Sequence, residues 1–394
     1  QSKALKNIFK YERGLGTFID NHHVKIQKSN DENKTIYAEN IIIATGSKPR
    51  TIPNIDVDEK IIMTSDGVDH MKSFPKSMVI VGAGVIGCEY ATIFSNFGKT
   101  KVYLIDRSDR ILPFEDTDIS DMISKNLKEK GVTIHNKAQL ERLEVKDGEV
   151  EYELSYKDGK KEIIRVEKAL LSVGRKLCID GLKMENAGVT LSKRGVHIGD
   201  INTQTNIPNI YVVGDASGHI SLVNVGELEG RYAVERMFSK KYYPLNYKNI
   251  CTIMFLQPEV ASVGINEKTC IEENIPVKVV KLDYSCIARA IAMRKTEGFF
   301  KIIVSDDKKM KILGMRAVGE HASSAIQGVG LLMKMDRNIH ELAEMVHPHP
   351  SIIEGIQECV RMLLNKSIFK ASIFKDKLSC YRRIGEYVED LQRL

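Results

Sequence analysis

The stretch MVIVGAGVIG, residues 78–87, places a run of apolar residues directly before three glycines spaced as Gly-x-Gly-x-x-Gly. The apolar run is typical of a buried strand, and the residues that follow, CEYATIFSNFG, are typical of a helix closed by Gly98. Between strand and helix, the first glycine permits a tight turn, the second lets a pyrophosphate approach the backbone, and the third lets the two elements pack closely. The stretch therefore predicts a dinucleotide-binding βαβ unit, with a plain βαβ turn as the alternative.

A second strand, KVYLID at residues 101–106, follows this helix and ends in Asp106. A carboxylate at that position can accept hydrogen bonds from the ribose hydroxyls of adenosine, and its charge repels a 2′-phosphate. Arg107 and Arg110 follow closely and would soften this repulsion. The pattern favours NAD over NADP.

The rest of the chain predicts further domains around this unit. Residues 1–10 read as a helix, followed by hairpins over GTFIDNHHVKIQK and TIYAENIIIATGS. Residues 117–131 read as an amphipathic helix, and the segment up to Gly174 as strands with charged turns, of which the last strand is EIIRVEKALLSVG. From about Asn249 longer strands alternate with helices, which indicates a separate α+β domain. The final residues, 368–394, are interpreted as an appended tail that is helical at its end.

The composition is that of an ordinary globular protein, with 394 residues of which 43% are hydrophobic and 28% charged. A net charge of +6, spread along the chain, is too small to argue for nucleic acid as a partner. Apolar stretches such as MVIVGAGVIGC are far shorter than a membrane span, and QSKALKNIFK is not a signal peptide. The seven cysteines form no CxxC pair and no zinc pattern, so we expect no metal site and a reducing, cytoplasmic location.

The stretch HPHPSIIE, residues 347–354, holds His349 between two prolines and places Glu354 shortly after it. The prolines restrict the backbone, so the imidazole is held in place. A nearby glutamate can fix the tautomer of a histidine and raise its basicity, as in enzymes that transfer protons. The alternative is a turn and a helix cap, with Ser351 as the cap and Glu354 in a capping box.

Four motifs in order, IIIATGSKP, GAGVIGCEY, NIYVVGD and HPHPSIIE, resemble those of the pyridine nucleotide-disulfide oxidoreductases. Within that family the likeness is strongest to dihydrolipoyl dehydrogenases, with some likeness to soluble pyridine nucleotide transhydrogenases. The resemblance implies an α/β fold with a split FAD-binding Rossmann-like domain, an inserted NAD-binding Rossmann domain and a C-terminal α+β dimerisation domain. The expected boundaries are 1–70 and 191–248 for the FAD-binding domain, 71–190 for the NAD-binding domain, 249–367 for the dimerisation domain and 368–394 for the tail.

The resemblance also implies which residues contact FAD. Residues 45–47 match the family's Ala-Thr-Gly-Ser segment near the cofactor, and residues 214–215 match the motif whose aspartate hydrogen-bonds the ribityl chain. The residues implied for FAD are Gly16, Thr45, Gly46, Ser47, Gly214, Asp215, Ser221, Leu222, Val223 and Asn224.

For the second cofactor and the catalytic residues the resemblance is equally specific. The residues implied for NAD are Gly82, Ala83, Gly84, Val85, Ile86, Gly87, Glu89, Asp106 and Gly174. His349 corresponds to the family's catalytic base and Glu354 to the carboxylate that orients it. In the family this histidine serves the flavin and disulfide of the other subunit, so a homodimer is implied.

Two departures from the family pattern keep alternatives open. Residues 221–224 stand where dihydrolipoyl dehydrogenases usually carry Met-Leu-Ala-His, which resembles the transhydrogenase, although the transhydrogenase lacks the His-Pro-x-x-x-x-Glu arrangement. The family begins with a glycine-rich FAD turn and a helix bearing CxxxxC, and neither motif occurs here. Either the sequence lacks an N-terminal part or the protein has lost the redox disulfide, and we favour the first.

The leading hypothesis is a flavoprotein that passes electrons between a dithiol and NAD through FAD and a redox disulfide. The expected dithiol is a small molecule or a lipoyl domain, such as that of a 2-oxo acid dehydrogenase complex. The alternatives are a flavin-dependent transhydrogenase or NADH oxidase without a disulfide, and a non-catalytic nucleotide-binding subunit.

Overall fold

The computed structural model describes residues 8–29, 32–192, 195–196, 202–241, 243–370 and 372–391. The chain divides into two compact units, one of Gln1–Pro49 with Arg175–Asn246 and one of Arg50–Gly174 with Tyr247–Leu394. The helix predicted over residues 1–10 falls largely outside the described residues. None of the helices in the described part of the chain has the length and apolar character needed to cross a membrane.

The first unit opens with short strands. They are β1 (Leu15–Phe18), β2 (His23–Gln27), β3 (Asn33–Tyr37), β4 (Ile41–Ile43) and β5 (Ser47–Pro49). Strands β1, β2 and β3 pair antiparallel in that order, which confirms the hairpin predicted over GTFIDNHHVKIQK.

The first segment of the second unit is built around a parallel sheet of strand order β6-β13-β7-β8-β9. A separate antiparallel sheet consists of β10, β11 and β12. The elements are β6 (Ile62–Met63), α1 (Ser65–Val68), β7 (Ser77–Val81), α2 (Val85–Asn96), β8 (Lys101–Ile105), α3 (Thr117–Glu129), β9 (Thr133–His135), β10 (Gln139–Lys146), β11 (Glu149–Ser155), β12 (Lys161–Val166) and β13 (Lys168–Leu171).

Strand β7 is buried on both faces, which is why its sequence is a continuous apolar run. Met78 and Ile80 share one core cluster with residues of helix α2, such as Ala91. Val79 shares another cluster with Tyr152 of the antiparallel sheet. The strand, turn and helix predicted around the three glycines are confirmed.

One domain boundary and one strand differ from those expected. Strand β6 lies before residue 71 but pairs with β13, so residues from 50 onward belong to the second unit. The single strand expected over EIIRVEKALLSVG is also wrong, because it divides at Glu167 into β12 and β13. The Glu167 amide donates to Ser77 Oγ and the Glu167 carboxylate accepts from the Lys76 amide, so both bond to the start of β7 instead of extending β12.

The chain then returns to the first unit and completes its pairings. The elements are β14 (Arg175–Leu177), β15 (Leu191–Ser192), β16 (Gly195–Val196), β17 (Ile210–Val212) and α4 (Val223–Phe238). Strand β14 pairs antiparallel with β5, and β17 pairs parallel with β4. The pairing with β5 explains why residues from 175 onward belong to the first unit and not, as expected, those from 191.

The C-terminal segment of the second unit forms an antiparallel sheet of order β18-β19-β22-β21-β20-β23-β24 with helices beside it. The elements are β18 (Thr252–Met254), β19 (Val260–Gly264), α5 (Glu267–Glu272), β20 (Val277–Asp283), α6 (Ala288–Ala292), β21 (Phe299–Ser305), β22 (Ile312–Val318), α7 (Ala322–Lys334), α8 (Ile339–Glu344), α9 (Glu354–Leu363), β23 (Leu378–Ile384) and β24 (Tyr387–Asp390). The α+β character expected from residue 249 is therefore present, although this segment belongs to the same compact unit as residues 50–174.

The tail is a strand hairpin, and the helical end expected for it is wrong. Strand β23 pairs with β20 and extends the sheet, and β24 pairs with β23. The hairpin turns at Gly385, whose φ of 54° is the conformation glycine adopts most easily. Only two residues separate Ile384 from its partner Tyr387, as in the tight turns that join antiparallel strands.

A buried group of charges joins the two segments of the second unit. Lys301 of β21 is 2% exposed, and its ammonium donates to Asp116 at 3.0 Å, to Asp118 at 2.8 Å and to Glu267 at 2.8 Å. Burial alone would lower the pKa of Lys301, but the three carboxylates raise it above its usual range. The ammonium is therefore charged in the folded protein.

We expect Lys301→Met to lower the free energy of unfolding by about 3–5 kcal/mol, because it leaves the buried Asp116 carboxylate without a cation and removes one of the two cations on Glu267. The matched control is Lys311→Met, since Lys311 pairs with Asp336 at the surface and such exposed pairs contribute about 1 kcal/mol or less. Urea unfolding followed by circular dichroism measures both. Equal losses in the two variants would show that the buried group does not hold the unit together.

Candidate active site

The turn between β7 and α2 has three glycines in three different environments. Gly82 has a φ of 102°, and a Cβ there would lie 2.6 Å from the carbonyl oxygen of Ser172. A Cβ at Gly87 would lie 1.8 Å from the carbonyl oxygen of Gly82, which is far inside van der Waals contact. A Cβ at Gly84 would meet no atom within 4 Å. The first and third glycines are therefore required by the protein itself, whereas the second leaves open space for a ligand.

This open space belongs to a cleft of about 690 Å³ at the carboxyl ends of the parallel strands. Helix α2 begins at the cleft, so its free amides and the positive end of its dipole suit a pyrophosphate there. The expected residues that line the cleft are Gly82, Gly84, Val85, Ile86, Asp106 and Gly174. The chain thus offers a fitting site for a dinucleotide within the second unit.

Asp106 follows β8 directly and is fixed by the backbone on both sides. Its Oδ2 accepts from the Ala83 amide at 2.7 Å and its Oδ1 from the Ser108 amide at 2.7 Å. Each carboxylate oxygen has further acceptor capacity, so both remain able to accept ribose hydroxyls. Of the two nearby arginines, Arg107 lines the cleft, whereas Arg110 donates to Ser120 Oγ and the Pro113 carbonyl.

Glu89 lies on α2, and its placement adds a contact that the sequence did not predict. Its Oε1 accepts from the Phe255 amide at 2.9 Å, which links α2 to the segment after β18. Its expected role near the nicotinamide stays a prediction. Sequence reasoning missed Ser172, whose hydroxyl donates to the Gly82 carbonyl at 2.8 Å and so fixes the turn. Its position directly after β13, at the same sheet edge as Asp106, could have identified it.

In the first unit Asp215 lies in a short 3₁₀ helix, Gly214–Ser217, that follows β17. Ser47 Oγ donates to the Asp215 carboxylate, and Arg175 Nε donates to Ser47 Oγ at 2.6 Å while lying 3.6 Å from Asp215 Oδ2. The carboxylate is partly exposed and balanced by a cation, so it can accept a hydroxyl of a polyol chain. Arg175 was missed, although it directly follows the expected Gly174.

Three of the other residues expected near FAD, Thr45, Gly46 and Gly214, lie within two residues of Ser47 or Asp215 in the sequence. Gly46 has a φ of 69° with open space beside it, and Thr45 is exposed. The Gly214 amide donates to Glu229 Oε2 at 2.6 Å, so this amide is already used by the protein. Helix α4 starts close to Gly214, since a Cβ at Gly226 would lie 3.1 Å from the Gly214 Cα.

The start of α4 contains the remaining expected residues. Leu222 precedes the helix and Val223 begins it, with Ser221, Val223 and Asn224 exposed. Gly16 lies in the hairpin β1–β2, opposite Ile26. The FAD contacts of these five positions stay predictions.

His349 and Glu354 form a hydrogen bond, as the sequence predicted. His349 Nδ1 lies 2.8 Å from Glu354 Oε1, and the Ser351 amide donates to Glu354 Oε2 at 2.8 Å. Burial opposes ionisation of Glu354, but these two hydrogen bonds lower the pKa of its carboxyl below the usual value. Glu354 is therefore ionised at neutral pH.

An ionised carboxylate only accepts hydrogen bonds, so His349 Nδ1 must carry the proton. The other ring nitrogen, Nε2, then has a free lone pair on a side chain that is 71% exposed. Only one of the two contacts of the alternative, a capping box, is formed. Glu354 accepts from the Ser351 amide, but the buried Ser351 hydroxyl has no partner in the described residues. The pair is thus arranged to take up a proton at Nε2.

We expect Gly84→Ala and Gly87→Ala to differ in what they disrupt. Gly84→Ala should fold normally, because its φ of −76° suits alanine, and should weaken NADH binding by filling the space for the pyrophosphate. Gly87→Ala should lower the free energy of unfolding by about 1–3 kcal/mol through overpacking against Gly82. Thermal unfolding and calorimetric NADH titration separate the two effects. Unchanged NADH affinity in Gly84→Ala would contradict the assignment of the cleft.

Comparison with known proteins gives matches along most of the chain. A family model described as pyridine nucleotide-disulphide oxidoreductase matches residues 2–230, and the model of that family's dimerisation domain matches residues 250–360. The dihydrolipoyl dehydrogenase of Bacillus subtilis (strain 168) is 33% identical over 348 residues, covering 88% of this chain and 73% of the relative. The dihydrolipoyl dehydrogenase of Chlamydia trachomatis is 34% identical over 343 residues, covering 86% and 72%.

Solved structures agree with these relatives. The Cu(II) complex of the HOCl-induced flavoprotein disulfide reductase RclA from Escherichia coli has a TM-score of 0.80 and 27% identity, over 89% of this chain and 78% of that chain. The matches confirm the predicted fold class of FAD-binding, NAD-binding and dimerisation domains. The chain therefore belongs to the pyridine nucleotide-disulphide oxidoreductase family, as a dihydrolipoyl dehydrogenase-like flavoprotein disulfide oxidoreductase that uses FAD and a nicotinamide nucleotide.

Proposed function

We propose that the protein passes electrons between a dihydrolipoamide-like dithiol and NAD, with His349 as the base and Glu354 as its orienting carboxylate. The observation that carries the proposal is the 2.8 Å hydrogen bond between His349 Nδ1 and Glu354, which leaves Nε2 as the proton acceptor. All seven cysteines of the sequence are unpaired in the structure. The sequence contains no CxxxxC pair, so the redox disulfide enters the proposal through the family match.

The chemistry of His349 begins with the substrate thiol. Nε2 accepts the thiol proton, and the resulting thiolate attacks a sulfur of the redox disulfide, which breaks the S–S bond and forms a mixed disulfide. Glu354 stabilises the imidazolium that forms, because the proton on Nδ1 already bonds its carboxylate. FAD supplies, when bound, the two-electron carrier between the dithiol and the nicotinamide.

The choice of NAD over NADP is part of the proposal and is supported by Asp106. Its carboxylate is held at the cleft by the Ala83 and Ser108 amides, where it can bind ribose hydroxyls and repel a 2′-phosphate. Arg107 reduces this repulsion without removing the acceptor, since it lines the same cleft.

A homodimer in the cytoplasm is the proposed form of the protein. The match to the dimerisation domain supports the dimer, and the exposed imidazole of His349 supports a site that is completed by another subunit. The names of the relatives support a dihydrolipoyl group as substrate, carried by a small molecule or by a lipoyl domain of a 2-oxo acid dehydrogenase complex. The unpaired cysteines support a reducing compartment.

We expect His349→Gln, made in the FAD-loaded native protein, to slow dithiol oxidation by about 10²–10⁴-fold, the usual cost of losing a general base. Reduction of the flavin by NADH should stay near its original rate, because this step needs no external base. Stopped-flow absorbance of the flavin measures the two half-reactions separately.

Glu354→Gln is the matched control and should cause a smaller loss, because the amide still reaches His349 but no longer stabilises its positive form. Equal slowing of both half-reactions in His349→Gln, or no slowing, would mean that His349 is structural. Equally fast reduction by NADPH and NADH would contradict the choice of nucleotide.

The dimer gives a separate prediction. Leu331 of helix α7 and Met335 directly after the helix are apolar and 53% and 54% exposed, which suits a large apolar subunit contact. Sedimentation equilibrium at micromolar concentration should give twice the mass of one chain. A monomer under these conditions would contradict a site shared between subunits.

A further inference from the structure

We propose that the C-terminal hairpin β23–β24 positions one wall of the nucleotide cleft, and that it acts through Glu267. The wall consists of Pro113 and Phe114, which both line the cleft. The hairpin lies beyond residues 250–360, the part of the chain that matches the dimerisation domain. The inference rests on the assignment of the cleft to NAD and assigns the hairpin a role in binding it.

The hairpin contacts the Glu267 carboxylate directly. Tyr381 Oη donates to Glu267 Oε1 at 2.6 Å, and Arg383 Nε donates to the same oxygen at 3.0 Å. The second oxygen, Oε2, accepts from Lys301 at 2.8 Å. Both oxygens are thus occupied and the side chain is largely buried, so the hairpin and β21 together fix where Glu267 lies.

Glu267 begins helix α5, and the residues on either side of it hold the cleft wall. Asn266 Nδ2 donates to the Phe114 carbonyl at 3.0 Å, and Lys268 Nζ donates to the Pro113 carbonyl at 2.7 Å. The Lys268 amide also donates to Asp116 Oδ1 at 3.0 Å. Since α5 has only six residues, its position depends on such anchors more than on its own helical stability.

Charge explains why the hairpin matters to this arrangement. The carboxylates of Asp116, Asp118 and Glu267 share the ammonium of Lys301, and Asp118 also pairs with Lys281, so these three carboxylates have two lysines between them. Arg383 adds a second cation on Glu267. Without it, repulsion between Glu267 and Asp116 acts on the contacts that join α5 to the cleft wall. The expected consequence is weaker binding of the adenosine half of the nucleotide, with no effect on the chemical steps.

The test is the double variant Tyr381→Phe/Arg383→Met in the full chain. The matched control is Arg382→Met, because Arg382 is the next residue on β23 but pairs with Asp306 instead of Glu267. ADP-ribose is the calorimetric probe, since it carries the adenosine half and not the nicotinamide. We expect its Kd to rise about three- to twentyfold in the double variant, the range typical of residues that couple to a site without touching the ligand. The control should bind as the unmodified protein does.

Steady-state kinetics add a readout that a general loss of stability would not move. The KM for NADH should rise by the same factor in the double variant while kcat stays unchanged. If the double variant does not fold, Lys268→Met replaces it, because this half-exposed side chain loses only the bond to Pro113 and a surface ion pair.

The outcomes are distinct. Affinity for ADP-ribose that is unchanged in the folded variants, or that falls equally in the Arg382→Met control, overturns the role of the hairpin while leaving the cleft assignment intact. An unmodified protein that does not bind ADP-ribose overturns both. An unmodified protein that binds ADP-ribose normally but does not oxidise the dithiol contradicts the proposed catalysis and leaves the role of the hairpin intact.

Discussion

The buried ammonium of Lys301 is the contact on which the second unit depends, because it binds carboxylates from both segments of that unit. Removing charges from water is costly, and their mutual attraction offsets this cost only when every partner is in place. Asp116 comes from the start of α3, Glu267 from α5 and Lys301 from the C-terminal sheet. These three elements can therefore be buried together only in one arrangement, which also determines where the nearby cleft wall lies.

The glycine turn imposes a second constraint of a different kind. Contacts at Gly82 and Gly87 leave no space for a side chain, and Ser172 reinforces the turn by bonding the Gly82 carbonyl. Gly84 meets no neighbour, so no contact inside the protein requires a glycine there. Gly84, which the fold does not require, thus lies between two glycines that the fold does require. The absence of a side chain at Gly84 is best explained by a ligand that occupies the space beside it.

Sequence reasoning predicted what is local in the chain. The strand, turn and helix around Gly84, the position of Asp106 after β8 and the His349–Glu354 contact all depend on residues close together in sequence. The pairing of Lys301 with Asp116 joins residues far apart in sequence, and no local sequence pattern predicts this pairing. The prediction of a helical end for residues 368–394 was wrong for a related reason. The strands in this tail are stabilised by pairing with the edge of β20 and not by an apolar period of their own.

The proposed catalytic pair, His349 and Glu354, shows what contacts within one segment of the chain can achieve. Within one chain, Glu354 fixes the tautomer of His349 and leaves Nε2 as the ring nitrogen that can accept a proton. The same imidazole is 71% exposed, and nothing in its own segment excludes water from Nε2. A base in open water competes with solvent for the thiol proton, and electrostatic stabilisation by Glu354 is weakened by the high dielectric. The chain thus supplies the orientation of the imidazole, and under the proposed function a second subunit provides the enclosed environment that makes it an effective base.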